Sequence, residues 1–98
     1  MASGMSTEVI EKSVNDLLVR CEGQSNHAFR EMAPQFISPI LKANGLDEAT
    51  ATRIFNDILY LAGKVRGLQS PMPVGKLAFK QAQLDQLAAQ IIASRKGQ

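Results

Sequence analysis

Apolar residues recur along this chain at three- and four-residue intervals, the spacing that places them on one face of a helix. The first stripe is Ile10, Val14, Leu17, Leu18 and Cys21, preceded by the capping residue Ser6 and followed by Gly23. This predicts a helix over residues 7–22. Glu8 with Lys12, and Asp16 with Arg20, are i, i+4 pairs in the favourable orientation, so the opposite face belongs in water.

A second stripe, Phe29, Met32, Ala33, Phe36, Ile37, Ile40 and Leu41, begins after Asn26 and keeps its phase through Pro34 and Pro39. Proline removes an amide hydrogen bond and crowds the preceding turn, so the stretch is expected to divide into helices over 26–33 and 38–44, with Ser38-Pro39 as cap and first turn of the second. Asn44-Gly45-Leu46 reads as a left-handed glycine stop, and Asp47 caps a third helix from Glu48 to Arg66 carrying Ala51, Ile54, Phe55, Ile58, Ala62 and Val65. Gly67-Leu68 repeats the stop. Beyond the loop QSPMP, Leu77, Leu84, Leu87, Ala88, Ile91 and Ile92 predict a last helix, with Phe79 off its stripe and Gln81, Gln83, Gln86 and Gln90 as its one compositional bias. No strand-like alternation or internal repeat occurs. The expected fold is all-α, a small irregular bundle of four to five helices.

Length and composition narrow this further. The 98 residues suffice for one domain with a modest core. That core is aliphatic, since Trp is absent and only four Phe and one Tyr are present. Residues 1–5, MASG before a second methionine, are set aside as a disordered leader typical of an expression vector, leaving 6–96 as a single helical domain. The single cysteine forms no internal disulfide, and no secretory leader opens the chain, so a cytoplasmic setting is expected. The uncharged run MAPQFISPIL is about half the length a bilayer requires. No membrane association is expected.

The catalytic inventory is thin. Cys21 lies on the apolar stripe at the C-terminal end of its helix, where the dipole opposes a thiolate. His27 with Glu31 offers two ligands on one helical face, and no other His or Cys completes a metal site. The acids Glu8, Glu11, Asp47 and Glu48 fall in first turns, where they complement the helix dipole. Gly75-Lys76 suggests a nucleotide-binding loop, but Ser70 stands where the first glycine belongs and Leu77 where the magnesium-binding hydroxyl belongs. No enzyme activity, cofactor or metal is therefore expected.

Two features point to binding. Residues 1–58 carry five basic and eight acidic side chains, whereas residues 59–98 carry Lys64, Arg66, Lys76, Lys80, Arg95 and Lys96 against Asp85 alone. Such segregation suits an acidic protein, nucleic acid or a head-to-tail self-contact. The stretch SPILKANGLDEATATRIFND resembles the helix-turn-helix of bacterial repressors: Ile40 in the first helix, Gly45 in the turn, Leu46 after it, and Ala51 and Ile54 facing inward on the second. It departs from that motif at Leu41, where a small residue is usual, and at Asn44, usually a buried position.

The leading expectation is a small non-enzymatic interaction protein, an adaptor, inhibitor or chaperone-like regulator. It would meet a protein partner through a helical surface with Lys64, Arg66, Met72, Lys76, Phe79 and Lys80 at its edge. A homodimer through the glutamine-rich last helix is a related expectation. The alternative, implied by the resemblance, is a DNA-binding regulator in which Thr50, Thr52, Arg53 and Asn56 face outward from a recognition helix, with Lys64 and Arg66 on phosphates.

Overall fold

A computed structural model of the chain describes residues 7–67 and 75–96. Met72 and the leader at residues 1–5 lie outside the described residues. The described residues form four helices: α1 (Thr7–Arg20), α2 (Asn26–Ala43), α3 (Glu48–Arg66) and α4 (Gln81–Lys96). Among the described residues there is no strand, and no helix is long and apolar enough to cross a membrane.

The third helix is the centre of the bundle. Its segment from Ile54 to Gly63 is buried on nearly every side, because α1, α2 and α4 all pack against it. Ile10, Val14 and Leu17 from α1 with Cys21 just after it, Phe29, Ala33 and Ile37 from α2, and Leu84 and Ile91 from α4 converge on Ile54, Ile58 and Leu61. Each large apolar side chain so enclosed contributes about 1.5–3 kcal/mol over its exposed state.

Residues 26–43 form one continuous helix, where the sequence predicts two. The buried residues of α2, Phe29, Ala33, Ile37 and Leu41, run without interruption along one side, while Pro34 and Pro39 both sit on exposed positions. The carbonyls deprived of donors, one turn before each proline, belong to the exposed Arg30 and Gln35 and can bond to water instead. Apolar packing thus outweighs the local cost of two prolines.

Helix ends follow their capping residues. The Ser25 hydroxyl accepts from the Ala28 amide at 3.1 Å, and the Asp47 carboxylate accepts from the Thr50 amide at 2.8 Å. Gly45 and Gly67 both adopt positive φ, +68° and +84°, as their predicted stops require. The last helix begins at Gln81, so Leu77 precedes it and packs half-buried against the core from an irregular segment.

Candidate functional site

The segment 75–80 is held by two polar side chains on the central helix. Asn56 and Asp57 follow Ile54 and precede Ile58, and both are buried, Asp57 with no exposed surface at all. The Asn56 side-chain amide donates to the Lys76 carbonyl at 3.1 Å. The Asp57 carboxylate accepts from the Ala78 amide at 2.9 Å and the Phe79 amide at 3.3 Å. Burial pushes the Asp57 carboxyl up to about 6, against the opposing effect of those two backbone amides. A Cβ on Gly75 would lie 2.7 Å from the Asn56 side-chain nitrogen, so any larger residue here would displace the Asn56 amide.

The helix-turn-helix resemblance places Asn56 outward as a DNA contact. It faces inward because its side chain pairs with the backbone of the returning chain. The signal for Asp57 is present in the sequence. Asp57 lies three residues after Ile54 and four before Leu61, on the core-facing side of its helix, and a carboxylate there requires an internal partner.

Of the predicted contact cations, Lys64 and Arg66 serve the fold. Lys64 donates to Asp85 at 3.0 Å, and the Tyr60 hydroxyl donates to the same oxygen at 2.7 Å, joining α3 to α4. The Tyr60 and Lys64 bonds hold the Asp85 carboxyl below its ordinary range, and the bond to Asp85 raises Lys64. Desolvation, reinforced by Asp85, raises the Tyr60 phenol. The Arg66 guanidinium donates to the Cys21 carbonyl at 3.2 Å, the Gln24 carbonyl at 2.8 Å and the Asn26 side chain at 3.2 Å. It also stacks 4.8 Å above the Phe29 ring. One side chain thus ties the end of α3 to the α1–α2 connection, using the planar fork that distinguishes arginine from lysine.

Lys76 and Lys80 are exposed, whereas Phe79 is half-buried against the core. Phe79 forms one wall of a shallow groove with Thr7 at the start of α1 and Gln83, Gln86, Leu87 and Gln90 on α4. The Lys80 amide donates to the Gln83 side chain at 3.3 Å, which brings the basic segment to the groove's edge. The three glutamines are exposed and Leu87 is half-buried, so amide donors and acceptors frame a narrow apolar strip.

On α3, Thr52 and Arg53 are exposed and Thr50 is half-buried. The Thr52 hydroxyl donates to the Glu48 carbonyl at 2.9 Å. Asp47 and Glu48 occupy the tip of this helix, and the Asp47 carboxyl is held low, first by its side-chain bond with Thr50 and then by the Thr50 amide, with a smaller effect of Arg53. A recognition helix enters the groove by its N-terminal end, where these carboxylates would meet phosphates.

Cys21 is fully buried and His27 pairs with Glu31 at 3.4 Å on an exposed face. Among the described residues no group of three or more His, Cys, Asp or Glu side chains is arranged to hold a metal ion. Compared with protein-family models, with curated proteins and with solved structures, the chain gives no significant match.

Proposed function

We propose that this chain is a small non-enzymatic interaction protein that binds the amphipathic helix of a protein partner, one face apolar and one edge acidic. The reading rests on the groove between α1 and α4, where Phe79 and Leu87 supply apolar contact, Gln83, Gln86 and Gln90 supply neutral polar contact, Lys80 stands exposed at its edge and Lys76 is exposed on the same segment. A helix laid in such a groove buries its apolar face while its polar edge meets the glutamine amides. The acid of α4, Asp85, is already engaged by Tyr60 and Lys64, so the charge left on the α4 side of the rim is the positive charge of Lys80. An acidic edge on the partner follows from that sign. The setting we assign is the cytoplasm, where the buried thiol of Cys21 stays reduced.

The test is capture from a cytosolic lysate, followed by titration of the captured protein in purified form. Lys76→Glu with Lys80→Glu should weaken its binding about tenfold or more and leave helix content unchanged, since both side chains are exposed. Gln86→Ala with Leu87→Ala should weaken it independently of salt. Captured proteins whose affinity ignores all four substitutions would end this reading. Binding to mixed duplex DNA that Arg53→Ala abolishes would replace it with the nucleic-acid one.

A further inference from the structure

The outer face of α1 carries a row of charges of alternating sign. Glu8, Lys12, Asp16 and Arg20 follow one another at four-residue intervals, alternating in sign, and all four are exposed. Val9 and Val19 lie on the same face, and they are the two exposed large hydrophobic residues among those described, 36% and 64% accessible. Only the Lys12–Asp16 bond, 2.8 Å, is made within this row, and Arg20 leans over the Phe36 ring at 5.2 Å.

The row is self-complementary about Val14. Glu8 and Arg20 are equidistant from Val14 in sequence, as are Lys12 and Asp16, and Val9 and Val19. Val14 itself is fully buried on the opposite side of the helix, so the centre of the exposed face lies directly behind it. Two copies of α1 packed antiparallel about a two-fold axis through that centre would place every charge against its opposite. Glu8 would meet the Arg20 position of the second copy, Lys12 the Asp16 position, and Val9 the Val19 position. A partner of uniform charge would be repelled by half of the row.

We infer that α1 is a self-association face and that its occupant is a second copy of this chain, antiparallel and centred at Val14. Each Lys12–Asp16 pair then joins its symmetry mate in a four-charge cluster, and each Val9 enters the hollow lined by Asp16, Val19, Arg20 and Phe36 of the other copy. One face of a 14-residue helix, about 21 Å long, is smaller than the ~800 Å² per partner of a standard stable interface. The dimer is accordingly weak, with a dissociation constant in the micromolar range or above.

Sedimentation equilibrium from about 5 to 500 µM tests this, and salt should weaken the association. Lys12→Glu alone and Asp16→Lys alone place like charges across the axis twice, and each should weaken self-association about tenfold or more. An equimolar mixture of the two single variants restores opposite charges at both positions and should recover association. Register is read by cysteine cross-linking. A mixture of Val9→Cys and Val19→Cys chains should form a covalent dimer on mild oxidation, whereas either alone should not, because identical positions lie about 15 Å apart along the pair. A wild-type chain that stays monomeric throughout, single variants that associate as wild type does, a mixture that fails to associate, or Val9→Cys alone cross-linking as readily as the mixture would each overturn the inference.

Discussion

Replacing Asp57 by Asn removes a buried ionisable group while keeping its shape, and it should change how stability depends on pH. The carboxyl has an ordinary value of 3.8 and is pushed to about 6 by burial between the central helix and segment 75–79. A difference of about two units, at 1.36 kcal/mol each, corresponds to roughly 3 kcal/mol. The folded state holds its proton more tightly than the unfolded one. The contribution of the neutral acid is therefore fully present below about pH 4, falls as pH rises through 6, and is absent above it. Asp85 and Asp47 act in the opposite sense, because their values are lowered and their contributions are lost only as pH falls below 3.8. The window between pH 4 and 6 thus belongs chiefly to Asp57. Wild type and variant share every other titrating group, so their difference isolates this one. Urea unfolding followed by circular dichroism at several pH values from 4 to 7.5 supplies the measurement. Asp57→Asn carries a constant penalty of about 1 kcal/mol, because its side-chain nitrogen cannot accept from the Phe79 amide. Relative to wild type it should gain about 3 kcal/mol between pH 4 and pH 7. A stability difference that stays constant across that range would refute the burial argument.

Substitutions at Arg66, Gly75 and Pro34 test other parts of the fold. Arg66→Ala should lower stability by about 2–3 kcal/mol, through loss of its bonds to Cys21, Gln24 and Asn26 and its stacking on Phe29. Arg66→Lys should recover only a minor part in the same denaturation assay, because an ammonium cannot span the three acceptors. Gly75→Ala should cost about 1–2 kcal/mol by displacing the Asn56 amide from the Lys76 carbonyl, and a double-mutant cycle with Asn56→Ala should show that most of this cost is coupled. Pro34→Ala should raise the thermal midpoint, with about 1 kcal/mol or more gained, as it restores a helical amide at an exposed position of α2.

Local chemistry was enough to place most of the elements. The glycine stops at Gly45 and Gly67, the Asp47 cap and the stripes of α1 and α3 are each decided within a few residues, by positive φ, by an orphan amide or by the helical period. The exposed charge row on α1 was likewise legible as i, i+4 pairs, though its symmetry about Val14 acquires meaning only once that face is known to be open. Three matters depended on distant parts of the chain meeting. Whether two prolines break a helix was decided by the continuous burial of Phe29, Ala33, Ile37 and Leu41, which local propensity does not contain. Whether Lys64 and Arg66 are free cations was decided by Asp85 and by the carbonyls of Cys21 and Gln24, more than 20 residues away. The same holds for GKLAF, whose glycine and lysine suggest a phosphate loop until the fold sets Asn56 and Asp57 against its backbone. Sequence by itself determined where helices start, stop and turn an apolar face inward, because those energies are short-range. Tertiary structure decided which polar groups remain for a partner, because a buried amide or charge takes the nearest match in space, whatever its distance along the chain.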